Sequence, residues 1–206
     1  VSYSSFNGYY SGSSANNVLS SSFVGDRSGI YANNVSYSSF DGYESGSGAK
    51  NVSRSSFVGI YSGLNANNVS RSSFVGDGSG MRANNVSRSS FVGTDSGNDA
   101  KNVSSSSFVG DRSGMYANNV RNGNFMGVFS GVWSQGQNNN LLGTASGVGL
   151  VGDGNVALGN AANSLRVYDT QNGQFKDRTG TNSSGNLASG LSANNTVALG
   201  SLSLST

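Results

Sequence analysis

Asn85-Val86-Ser87-Arg88-Ser89-Ser90-Phe91-Val92-Gly93, followed by Ser96-Gly97 and Ala100, is one copy of a phrase that recurs from Val1 to about Gly131. Eight phenylalanines, Phe6, Phe23, Phe40, Phe57, Phe74, Phe91, Phe108 and Phe125, mark it at intervals of 17 residues without a slip. A fixed period of this length signals stacked coils, so the chemistry is read as columns of residues rather than as isolated motifs. Each coil is numbered here from its Val, which places the Phe at position 6.

Seventeen residues are too few for two ordinary helices and a turn. Leu, Glu and Lys are scarce, whereas β-branched, aromatic and Ser residues gather just before each Gly. A short strand over positions 1–7 is expected, with Gly at positions 8 and 12 supplying turn conformations that a Cβ resists. A second extended segment around positions 11–15 carries Ala back inside. Asn at positions 16 and 17 suits the other corner, where left-handed backbone and stacked side-chain amides favour it. The expected fold is all-β: a parallel β-roll or solenoid of 17-residue coils, each adding roughly 4.8 Å.

One Ala and one or two Val per coil suggest a narrow interior. Phe at position 6 and Val at position 7 have opposite parity, so a regular strand points them to opposite faces. With the Val column (Val24, Val58, Val75, Val92, Val109) filling the roll, Phe23, Phe40, Phe57, Phe74, Phe91, Phe108 and Phe125 become an outward stripe and the expected seam between chains. A bulge that tucks both columns inside is the alternative, and the polar Asn7 and Asp41 at position 7 favour it.

Composition narrows the chemistry. The 206 residues include no Cys, His or Pro, which removes disulfides, thiolate metal sites and the commonest general base. Twelve basic and ten acidic residues leave a net charge of +2, with no footprint for nucleic acid or an anionic membrane. The acids are scattered: Asp26, Asp77 and Asp111 share position 9 in non-adjacent coils, and Asp95 and Asp99 lie across a turn. No catalytic, cofactor or metal residues are assigned, and the expected activity is not enzymatic. No apolar run reaches the ~20 residues of a membrane span, and Val1 opens partway through a repeat, as in a piece of a longer chain.

After Gly127 the steps shorten to 16 residues at Gly143 and Gly159, and Leu141 then Ala157 replace Phe. Alternating residues around Asn172-Gly173 predict a β-hairpin over about 164–178. The chain thus divides into regular coils at 1–136 and irregular coils with the hairpin at 137–206.

Two of these later coils, Asn155-Val156-Ala157-Leu158-Gly159 and Asn195-Thr196-Val197-Ala198-Leu199-Gly200-Ser201-Leu202-Ser203, resemble the NSVALGxxS repeat of YadA-like heads of trimeric autotransporter adhesins. The Ser-Ser-Phe-Val-Gly…Ser-Gly form resembles the longer NTFIGxxAG variant of bacterial adhesins and phage tail fibres. The resemblance implies a left-handed roll and three chains side by side on a stalk, either anchored to the outer membrane at a cell surface or in a virion fibre. Family head repeats are typically shorter, and Phe stands here where Ala is usual.

Two sets of surface residues invite a partner. Position 3 reads Tyr3, Ser20, Tyr37, Arg54, Arg71, Arg88, Ser105, so three Arg fall on consecutive coils. Like charges so close repel, and no stability reason asks for them. They are open to three fates: splaying into solvent, pairing with acids of a neighbouring chain, or binding an anionic surface glycan or matrix protein. The second set is the variable-edge aromatics, foremost Tyr31, Tyr61, Tyr116 and Trp133, which suit carbohydrate or protein contact and equally suit packing on a neighbouring protomer. The expected function is a trimeric adhesin head that attaches to a host cell, matrix or other surface, with itself and a host protein or glycan as partners. The alternatives are a phage tail-fibre receptor-binding or structural segment, and an ice-binding solenoid presenting Ser at positions 2, 4 and 5.

Overall fold

A computed structural model describes residues 2–164, 166–169, 174–177, 191–192 and 194–200. Among these residues the chain is a parallel β-solenoid without helices, built from an 11-stranded and a 10-stranded sheet. The coil from Asn84 to Ala100 shows the plan. The strand Asn84–Ser87 joins the first sheet, a corner follows at Arg88 and Ser89, and the strand Ser90–Val92 joins the second. Turns then fill residues 93–99. Each strand pairs with its counterpart one repeat on, so like meets like: Val86 with Val103, Phe91 with Phe108 and Val92 with Val109.

The expected single strand over positions 1–7 is therefore two strands with a corner between them. The expected extended segment at positions 11–15 is a staircase of turns: Ser96, Asn98 and Ala100 donate their N–H groups to the carbonyls of Gly93, Asp95 and Gly97. The steps also bond across coils, with Gly97 donating to Ser113 and Asp95 to Asp77. Asn at positions 16 and 17 lies in the first strand rather than at a corner. Position 17 nevertheless has the expected left-handed backbone, and its amides stack: Asn51 Nδ2 donates to Asn68 Oδ1 at 3.0 Å and Asn68 to Asn85 at 2.9 Å.

The Phe seam is overturned. Phe23, Phe40, Phe57, Phe74, Phe91, Phe108 and Phe125 are completely buried inside one chain, at 0 % exposure, whereas Val75 is 37 % exposed on the outer face. Positions 6 and 7 do point to opposite faces, with Phe inside and Val outside. The corner at position 3, where Arg88 has φ 51°, resets the alternation, so Val86 and Phe91 both point inward. Nor is the interior too narrow. Gly at position 12 leaves room for the ring: at Gly80, which also has φ +63°, a Cβ would collide with Phe74. The rings from Phe23 to Phe125 stack with centroids 4.7–4.8 Å apart and planes within 6° of parallel. Ser at position 11 fills the remaining space and donates to the Phe carbonyl of the next coil, as Ser79 Oγ does to Phe91 at 3.0 Å.

Beyond Gly127 the core changes occupants without losing register. Leu141, Ala157 and Ala198 continue the Phe column, and Phe129, Val132, Ala145 and Val148 form a second cluster. Strands Arg166–Asp169 and Gln174–Asp177 pair antiparallel; the Asn172-Gly173 turn lies outside the described residues. The roll resumes beyond them with Val156 beside Val197.

Phe74→Ala removes a buried ring that its neighbours cannot replace and should cost about 3–5 kcal/mol in urea unfolding. Ile60→Thr, on the exposed turn and away from the position-7 row, should change stability by less than about 0.5 kcal/mol. Equal costs would contradict the inward Phe column.

Candidate binding surface

The corner between the two sheets is built from the backbone outward. Arg54, Arg71 and Arg88 occupy position 3 with φ of 51°, 52° and 51°, a left-handed conformation that favours Gly and Asn over long side chains. Their N–H groups donate to Ser36, Ser53 and Ser70 of the preceding coils at 2.9, 2.9 and 3.0 Å. The next residue is a buried Ser that serves both directions. Ser72 Oγ donates to the Ser70 carbonyl at 2.9 Å, and the Ser89 N–H donates to Ser72 Oγ at 3.3 Å. This serine ladder is the floor of a long shallow groove, whose lining also includes Tyr3, Tyr37, the three Arg, and Ser56, Ser73 and Ser90.

The groove contains no carboxylate among its lining residues. The three guanidinium groups are exposed and have no ion pair or side-chain hydrogen bond among the described residues. Arginines at the turn edge behave differently. Arg82 makes a two-pronged contact with Asp99 at 2.9 and 2.7 Å, which pushes its guanidinium pKa still higher than usual. Arg27 reaches Glu44 at 3.2 Å, and Arg112 lies 3.9 Å from Asp95. The Arg column is thus exposed to solvent and pairs with no acid of its own coils, which leaves the acids of a neighbouring chain or an anionic partner as its remaining fates.

The expected aromatic residues do not gather around the Arg column, and none of the four lines the groove. Tyr31, Tyr116 and Trp133 sit at position 14 and Tyr61 at position 10, all on the turn staircase. Tyr116 and Trp133 come together, with parallel rings 6.0 Å apart. Tyr61 meets Tyr43 edge-on at 5.7 Å, and Tyr31 stands alone in its coil at 65 % exposure. The Ser face suggested for ice also dissolves. Position 4 is buried, and the corner sends positions 2 and 5 to different sheets.

The position-9 acids tie one coil to the previous one. Asp77 Oδ1 accepts the Ile60 N–H at 3.0 Å and Asp111 Oδ1 the Thr94 N–H at 3.2 Å. No group of three or more acidic side chains among the described residues could hold a metal ion. Residue reading missed the exposed aliphatic row at position 7. Its signal was the Arg column itself, since a long charged side chain three residues before Phe needs an outward corner there. No protein-family model matches this chain, and no curated protein matches it in sequence.

The combination Arg54→Asn, Arg71→Asn and Arg88→Asn relieves three left-handed arginines and their mutual repulsion. Asn already serves at this position in Asn122, whose amide donates to Asn138 at 3.1 Å. The triple variant should be more stable than the parent by roughly 1–2 kcal/mol in chemical denaturation. A loss of stability would mean that the Arg column holds the coil together.

Proposed function

We propose that this chain is a fibre-head segment that attaches to surfaces as a side-by-side homotrimer, in the manner of the YadA-like adhesin heads its coils resemble. The carrying observation is the exposed aliphatic row at position 7, with Val58, Val75, Val92, Met126, Leu142 and Leu158 on the outer face of the 11-stranded sheet. Rows with this pitch can mate in register only with a partner of equal pitch, and a second copy of the chain has it. On this reading the chain-to-chain seam runs along the Val and Leu row rather than along Phe. The number three comes from the resemblance.

In this reading the protein is displayed at a cell surface on an outer-membrane anchor, or in the tail fibre of a virion, and its partner is a host protein or glycan. Its work is attachment rather than catalysis. Three copies of each surface row compensate for weak single contacts by avidity.

Solution mass tests the assembly. Light scattering should give ~63 kDa, three times the 21.0 kDa chain. The double variant Val75→Asp, Val92→Asp should fall to the monomer mass with its β circular dichroism intact, and its retention on matrix-coated or cell-coated surfaces should drop at least tenfold. A parent chain that stays at monomer mass at micromolar concentration sinks the trimeric head.

A further inference from the structure

The Arg54–Arg71–Arg88 groove has the features of a ligand site rather than of a solvated charge run. Three cations repeat at the coil spacing, which the Phe57–Phe74 and Phe74–Phe91 stacks set at 4.8 Å. They are held outward by a backbone conformation that disfavours them, over a floor whose hydroxyls are already committed to backbone carbonyl and N–H groups. The wall hydroxyls are not committed. Ser56, Ser73 and Ser90 are half-buried, and their Oγ atoms have no partner among the described residues. One coil before Arg54, Tyr37 presents its ring in the same column at 58 % exposure. The site therefore offers a row of cations, a parallel row of free hydroxyls and an aromatic face at one end.

We propose that this groove binds a linear sulfated polysaccharide lying along the solenoid axis. An extended pyranose chain advances by about one sugar per coil step, so sulfates on successive sugars meet successive guanidinium groups. Each planar guanidinium can engage a sulfate through two parallel N–H donors, which a lysine cannot match. Ser56, Ser73 and Ser90 bond to sugar hydroxyls, and the Tyr37 ring takes the apolar face of a terminal sugar. Single-stranded nucleic acid is the poorer fit, because it uses aromatic platforms under successive bases, and hydroxyls occupy those places here.

The proposal rests on the surface-attachment reading and names its ligand class, but it is tested separately from trimer formation, with mass measured on the same samples. The probe is heparin, titrated against the full chain at several salt concentrations. Hyaluronan, which carries carboxylates and no sulfate, and a single-stranded oligonucleotide of similar length are titrated in parallel. Arg54→Gln, Arg71→Gln and Arg88→Gln together should weaken heparin binding at least tenfold, with the slope of log affinity against log salt shallower by about 2–3. A charge-matched control, Lys50→Gln, Lys101→Gln and Arg121→Gln, removes three cations outside the groove and should stay within about twofold of the parent. Replacing the three groove arginines by Lys should retain the salt slope and lose affinity.

Heparin binding that survives the groove substitutions, or falls equally in the control, overturns the proposal. Tighter binding of the oligonucleotide than of heparin overturns it in favour of nucleic acid. An oligomer of the expected mass that binds no heparin overturns the ligand class and leaves the assembly standing.

Discussion

The fit of each Phe ring over a glycine is the contact on which the rest of the molecule depends. A 17-residue coil can enclose a benzyl side chain only where the opposing backbone has no Cβ, and position 12 provides that gap. Seven buried rings then stack at the strand spacing, so the apolar core and the two hydrogen-bonded sheets impose the same pitch. The serine at position 11 joins them by bonding to the backbone of the Phe it lies beside, one coil on. Core packing, backbone pairing and buried polar satisfaction agree coil after coil, as expected of a chain that specifies one structure.

That interlock frees the outer positions to vary. In the regular coils left-handed backbone at positions 3, 10, 14 and 17 turns the chain, and most side chains there are exposed. The same conformation has opposite consequences in two columns. At position 17, Asn51, Asn68 and Asn85 convert it into a ladder of amide bonds. At position 3, the side chains of Arg54, Arg71 and Arg88 gain no partner among the described residues. The corner needs this backbone whichever residue occupies it, as at Ser20, Ser105 and Asn122, so the three arginines stand out for their unpaired side chains, which is why the proposed ligand groove lies at the corner rather than at the aromatic edge.

The later coils show how much the scheme tolerates. As Phe gives way to Leu141 and Ala157, Phe129, Val132, Ala145 and Val148 supply apolar volume elsewhere in the coil. The buried serine ladder is replaced by Asn139, Asn155 and Thr196, with Asn139 Oδ1 accepting the Asn155 N–H at 2.9 Å and Asn155 Oδ1 accepting the Thr196 hydroxyl at 2.7 Å. The antiparallel strand pair is inserted between two coils that still align, Val156 against Val197.

Period, parallel stacking, all-β character, the inward Ala column and the consecutive arginines were legible in the chain, because each follows from like residues recurring at a constant interval, whereas the position-7 Val column read as filling the roll lies on its outer face. Which face the Phe column takes was not. Strand alternation transmits inside and outside only along an unbroken strand, and the left-handed residue at position 3 interrupts it between Val86 and Phe91. A residue pattern such as Ser-Arg-Ser-Ser reads equally as strand or corner. Tertiary structure decided it, since only the closed coil brings Gly80 against Phe74 and makes the interior wide enough for the ring. The same closure made the arginines a groove: their order was written in the sequence, while their shared floor and free serine wall exist only once the corner is folded.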